Sequence, residues 1–189
     1  MLQNQIDVAA NRAAIKYTGG ERVRRVLWAL IGRPVFRLVP RPFFAVRNSI
    51  LRVYGARIGH HVHIYASASI YMPWNLRIGD WSSIGEWASV YNVGLVTIGS
   101  GATISQKADL CAGTHDYHRL SFPLLKQPIV IGDGAWICAG AFIGPGVTIS
   151  DLAIVGARAV VMKNVPPRAI VVGNPATLLR LRPEMDGRD

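Results

Sequence analysis

The sequence predicts an all-β solenoid: a parallel β-helix of about five triangular coils, preceded by a short helical segment and followed by a tail. Three observations carry that expectation. An aliphatic residue recurs every six positions from Ile58 to Val161, a small residue follows it in most hexads, and the fifth position is small or β-branched. A helix would space its apolar residues near 3.6 and an amphipathic strand near 2, so a period of six fits neither as one continuous element.

The hexads run in order along the chain. Ile58, Ile64 and Ile70 come first, then Ile78, Ile84 and Val90 after a two-residue slip, then Ile98, Ile104 and Leu110 after a second slip. A long interruption precedes Ile131, Ile137, Ile143, Ile149, Val155 and Val161. The small successors include Gly59, Gly79, Gly85, Gly99, Gly132, Gly144 and Gly156, with Ser105, Cys111, Cys138 and Ser150 filling other hexads. The fifth positions are Val62, Ala68, Ser82, Ala88, Ala102, Ala108, Thr114, Ala135, Ala141, Val147, Ala153 and Ala159. Six residues suffice for one short strand and a corner, with the aliphatic side chain stacked inward on its counterparts. The small neighbour fits the corner, where glycine reaches conformations closed to other residues. Three sides close a triangle, and fifteen hexads make about five coils, above the ~3 repeats a stacked core needs. A β-sandwich would not hold one six-residue register over that length.

Composition narrows the class further. Half of the 189 residues are hydrophobic and 17% are charged, which excludes a disordered chain. The longest plain apolar run, Val26 to Ile31, is far short of the ~18–20 residues of a membrane span. The first residues lack the basic-then-apolar start of a secretion leader. Cys111 and Cys138 alone make a disulfide framework unexpected, so a cytoplasmic location is predicted.

The net charge of +10 is concentrated in one segment. Residues 1–57 hold 11 Lys/Arg against Asp7 and Glu21, whereas residues 58–189 hold 10 basic and 9 acidic residues. The arginines are interleaved with bulky apolar residues, a pattern that points away from nucleic acid. The expected organisation is a helical segment at 1–57, a β-helix at 58–165 with a loop at 112–128, and a tail at 166–189. Within 21–54 the pattern predicts two or three short helices broken by Gly32-Arg33-Pro34 and Pro40-Arg41-Pro42. Val23, Val26, Leu27, Leu30 and Ile31 form an apolar stripe edged by Arg22, Arg24, Arg25 and Arg33. Such a segment can cap the open end of the solenoid. It can also lie on an anionic membrane surface, with Trp28, Phe43 and Phe44 at the interface. Pro166 and Pro167 are expected to end the ladder, because proline donates no strand hydrogen bond.

The interruption, CAGTHDYHRLSFPLLKQP, is the place to look for chemistry, since long loops in compact folds are usually functional. His115 follows a strand that can hold it rigidly, and imidazole, with an ordinary pKa of about 6.5, can take up and return a proton near neutrality. Asp116 and His118 can either shape the loop or contact a substrate. His60 and His61 read as solvated corner residues, and no metal site is expected there. The two cysteines follow aliphatic positions and read as small corner residues, with no partners at ligand spacing.

The hexads, this loop, and the endings NVPP (Asn164–Pro167) and GNPA (Gly173–Ala176) resemble the hexapeptide-repeat acyltransferases over roughly residues 20–182. Within them the chain is most similar to the maltose/galactoside O-acetyltransferase type, particularly the colanic-acid and exopolysaccharide acetyltransferases. The resemblance implies a left-handed β-helix, a hand the repeat alone does not dictate. It also implies a homotrimer with active sites between neighbouring prisms, acetyl-CoA as co-substrate, and a sugar or glycan acceptor that can be lipid-linked. Thr114-His115 matches the family's catalytic pair, which makes His115 the base. Asn92 matches an asparagine that binds the acceptor hydroxyl or the histidine, with a turn-forming role as the alternative. Trp136 lines the acyl or pantetheine slot or serves in packing. The backbone N–H of Ala139 stabilises the oxyanion, with Gly140 beside it on the cofactor side. Lys163 and Arg180 match positions that meet the phosphates of coenzyme A, and Asp116, Tyr117 and His118 fall on the acceptor side. The competing readings are acetylation of a small molecule such as serine, and a non-catalytic or metal-dependent β-helix.

Overall fold

All fifteen hexad positions lie in short strands of two or three residues, and the strands stack in parallel as three sheets. The computed structural model describes residues 6–184; residues 1–5 and 185–189, at the outer ends of the first and last expected regions, lie outside it. The first coil is Arg57–Ile58, His63–Ile64 and Ser69–Ile70, which begin sheets A, B and C respectively. Each later coil repeats the order, and the register pairs hexad with hexad: Ile58 with Ile78, Ile78 with Ile98, Ile98 with Ile131, and Ile131 with Ile149. Every hexad aliphatic is buried except Ile58, which is half-buried at the open end. Each such burial contributes about 1.5–3 kcal/mol. The alanines of the fifth position fill the space between the stacks.

Two details of the corners differ from expectation. The left-handed backbone falls on the third corner residue, such as Trp81, Trp87, Lys107 and Arg158, with φ near +60°. The glycine after the aliphatic residue serves close approach instead: a Cβ at Gly79 would come within 2.6 Å of the Ser100 backbone nitrogen of the next coil. Thr114, taken as a fifth-position residue, is not on a coil. It belongs to Gly113–His115, which leaves the solenoid and pairs antiparallel with Leu124–Lys126.

The basic segment forms α1 (Val8–Ala13), α2 (Gly19–Leu27), α3 (Arg33–Leu38) and α4 (Phe44–Val53). A capping box between Thr18 and Glu21 starts α2. Gly32-Arg33-Pro34 does not break the helix as expected. A π-helical turn at Trp28–Gly32 carries α2 into α3, and the wider turn accommodates the proline that has no N–H to donate. Gly32 is required there because a Cβ would run into the Trp28 and Tyr54 rings. The inner side of this segment closes the first coil by hydrogen-bonding its unpaired carbonyls. Trp28 Nε1 donates to Ile70 O, Arg47 Nε to Ile64 O and Asn48 Nδ2 to Val62 O, at 2.8–2.9 Å. Its outer side leaves Val23, Val26, Leu27, Leu30 and Ile31 exposed. No helix among the described residues is long and apolar enough to cross a membrane.

The ladder runs one side further than expected. Val165 still bridges Ile149 on sheet A, and Ala169–Val172 adds a strand to sheet B after the prolines, with Thr177–Leu181 antiparallel at its outer edge. Pro166 occupies the corner position of Ser150, whose N–H donates to the next coil. At Pro166 sheet A has no next coil, so the missing donor costs nothing there.

Candidate active site

The loop that interrupts the repeat springs from the corner between sheets C and A in the third coil. Its two short strands hold His115 at the rim, exposed, in register opposite Leu124. The His115 Nδ1 lies 2.6 Å from the Phe122 carbonyl oxygen. A carbonyl only accepts, so Nδ1 must carry the hydrogen and the Nε2 lone pair faces outward. The sequence singled out this imidazole, and the fold supplies the tautomer that a proton acceptor needs. The same carbonyl accepts a second bond, from Asn11 Nδ2 of α1, which sequence inspection passed over.

The other loop residues shape the turn. Asp116 accepts from the His118 backbone N–H at 3.0 Å and pairs with Arg119 at 3.5 Å, so its carboxylate orients the loop and makes no bond to His115. Tyr117 is 73% exposed, with its ring beside that of His118. Asn92 does not reach this rim. It is 0% exposed, its Oδ1 accepts from Met72 N–H at 2.8 Å, and its Nδ2 donates to Met72 O at 2.6 Å. Both ends of its amide are therefore committed to one inward backbone unit, and the expected contact with an acceptor hydroxyl is corrected to a structural one.

The cofactor-side residues lie elsewhere on the prism. Trp136 stands on sheet B in the fourth coil, 48% exposed, with Nε1 donating to Ser105 Oγ at 2.9 Å. Ala139 follows at the corner between sheets B and C. Its neighbours Cys138 and Gly140 donate to Val155 O and Gln106 O, whereas the Ala139 N–H has no donor bond among the described residues. Burial pushes the Cys138 thiol pKa up, which disfavours the thiolate a nucleophile would need. Lys163 lines an apolar groove of about 330 Å³ between the end of sheet C and the tail, with Met162, Pro166, Pro175 and Leu178. Arg180 projects from the last strand, outside that groove, opposite Ile170. No cluster of three or more metal-ligating side chains occurs among the described residues.

Comparison with known proteins follows this architecture closely. No family model matches the chain. It is 38% identical over 170 residues to WcaF of Escherichia coli, described as a colanic acid biosynthesis acetyltransferase, covering 90% of this chain and 93% of that one. The chain belongs to the hexapeptide-repeat acetyltransferases. It is 28% identical over 146 residues to the galactoside O-acetyltransferase of Escherichia coli, covering 76% of this chain and 70% of that one. A hexapeptide-repeat acetyltransferase of Vibrio cholerae, solved with acetyl coenzyme A, superposes with a TM-score of 0.80 at 25% identity, over 90% of this chain and 93% of that one. The solenoid is thus the left-handed β-helix of this acetyltransferase family.

Proposed function

We propose that this hexapeptide-repeat acetyltransferase moves an acetyl group from acetyl-CoA to a hydroxyl of a sugar or glycan in cell-surface polysaccharide synthesis. The single observation that carries the proposal is the His115–Phe122 hydrogen bond, which leaves Nε2 as an outward base on the loop that interrupts the repeat. The names of the relatives support the acceptor class.

The chemistry assigns one task to each group. His115 Nε2 takes the hydroxyl proton as the acceptor oxygen attacks the thioester carbonyl. The carbonyl oxygen gains negative charge and can accept a hydrogen bond donated by the Ala139 N–H, which has no partner among the described residues. Collapse re-forms the carbonyl and breaks the carbon–sulfur bond, and His115 returns its proton to the departing thiolate. The product is the O-acetyl ester with free coenzyme A. Trp136 offers an aromatic wall for the pantetheine, fixed by its bond to Ser105, Gly140 lies next to Ala139 on the same side, and Lys163 and Arg180 offer cations to the phosphates. Asp116, Tyr117 and His118 shape the acceptor side.

His115 and Ala139 project from opposite edges of sheet C, a full prism face apart. That separation supports a homotrimer in which the loop of one copy meets the cofactor wall of the next. The outer apolar stripe and a groove of about 390 Å³ lined by Arg22, Arg25 and Arg33 support a place at the cytoplasmic face of an anionic membrane, beside lipid-linked acceptors. The decisive experiment is His115→Ala, assayed by thiol release from acetyl-CoA with a panel of glycan acceptors and by product mass. Turnover should fall about 10²–10⁴-fold with acetyl-CoA affinity retained; turnover near the wild-type rate would reject the assignment.

A further inference from the structure

Three consecutive carbonyls of the loop that carries His115 accept hydrogen bonds from the first helical segment, the last of them in addition to its bond with His115. Leu120 O accepts from the Asp7 backbone N–H at 2.8 Å. Ser121 O and Phe122 O both accept from Asn11 Nδ2, at 2.7 and 2.5 Å. Asn11 Oδ1 in turn accepts from Lys16 Nζ at 2.7 Å. An ammonium only donates, so this contact fixes which end of the amide is oxygen and leaves the NH₂ facing the two carbonyls. The bend it grips is a demanding one, since Phe122 has φ +45° without being glycine.

We infer that Asn11 is a positioning residue for His115, acting through the Phe122 carbonyl; the inference rests on the reading of His115 as the base. The logic is one of shared acceptor. The Phe122 carbonyl selects the His115 tautomer, and Asn11 is the second donor that fixes where that carbonyl points. Without it, the carbonyl at an exposed turn can rotate toward water. The imidazole then loses its Nδ1 acceptor, and the hydrogen can move to Nε2, the atom that must take up the acceptor proton. A residue that fixes the hydrogen-bond partner of a ring holds the ring's orientation and tautomer, and its loss is felt in turnover more than in binding. Asn11 bonds the loop carbonyls and Lys16 and none of the cofactor-side residues, so turnover should register the change far more than acetyl-CoA binding.

Two variants separate this role from a general effect on folding. Asn11→Ala removes both donors. Asn11→Asp keeps the size and the Lys16 contact but has no hydrogen to donate. Both should lower kcat about 10- to 100-fold with the KM for acetyl-CoA within about twofold and the unfolding midpoint of Asn11→Asp close to wild type. Long-range proton–nitrogen NMR spectra should show His115 protonated at Nδ1 in the wild type and redistributed in the variants. Placed in a His115→Ala background, Asn11→Asp should cause no further loss, because the residue through which it acts is gone. Wild-type kcat in Asn11→Asp, or an equal loss with and without His115, would overturn the inference while leaving the base assignment standing. Wild-type turnover by His115→Ala alone would overturn both.

Discussion

Replacing Ala139 by proline deletes one hydrogen atom of interest and little else. The Ala139 N–H makes no bond among the described residues, so its removal breaks nothing in the fold. Proline already stands at the same corner position twice. Pro145 and Pro167 each lie two residues after a core aliphatic, Ile143 and Val165, and directly before a left-handed residue, Gly146 and Arg168. Ala139 lies two after Ile137 and directly before Gly140, which has φ +66°. The corner therefore accepts the ring, and the loss of chain entropy in the unfolded state is worth roughly 0.4–1 kcal/mol in favour of the variant. The melting temperature should hold or rise by about 1–4 °C. Losing a donor aimed at a developing oxyanion removes about 2.7–4 kcal/mol of transition-state stabilisation, or roughly 10²–10³ in kcat. The assay is thiol release at saturating acetyl-CoA, run beside Ala139→Gly, which keeps the N–H and should stay within a few-fold of wild type. A folded Ala139→Pro enzyme with kcat within about threefold of wild type would refute the oxyanion role.

Three further outcomes follow from the cap and the helices. Arg47→Met removes hydrogen bonds to the carbonyls of Ile64, Val39, Pro40 and Arg41; the last three can regain water but the buried Ile64 carbonyl cannot, so urea unfolding should show a loss of about 3–5 kcal/mol. The Glu21 carboxyl is held below its ordinary range by the Thr18 backbone N–H, with Lys126 adding to it. Its stabilisation is therefore present above that range and lost as pH falls through the lower folded-state value, and Glu21→Gln should flatten the acid limb of a melting-temperature profile. Leu30→Glu with Leu38→Glu, both on the exposed side, should abolish flotation with anionic liposomes while leaving the melting temperature within a few degrees of wild type; unchanged flotation would exclude membrane docking by that face.

The repeat was legible because each hexad obeys one local rule: an aliphatic residue that must stack and a neighbour that must not obstruct the next coil. The same rule misassigned Thr114, where the six-residue count runs on past Leu110 although the chain has left the prism. His115 could be singled out as a candidate because the interruption advertises itself. Asn11 could not, since its partners are more than a hundred residues away and no periodicity marks a side chain that grips backbone carbonyls. Asn92 was misread because a polar residue beside a strand end looks the same in sequence whether it faces a substrate or a backbone amide. The cap and membrane readings of residues 21–54 turned on which face each apolar residue occupies. The structure corrects one part of the membrane reading: Trp28, expected at the interface, is buried against the first coil with Phe36, while Leu30, Leu38 and Phe43 stay exposed.

The loop enters and leaves the solenoid without disturbing its register. Thr97 pairs with Val130 across the insertion as Arg77 pairs with Thr97 before it and Val130 with Thr148 after it. Neighbouring coils carry the load on either side, so the solenoid does not depend on the inserted segment, which is held instead by the first helical segment. A change of sequence within that stretch can thus be absorbed locally, because the coils above and below it remain paired to one another.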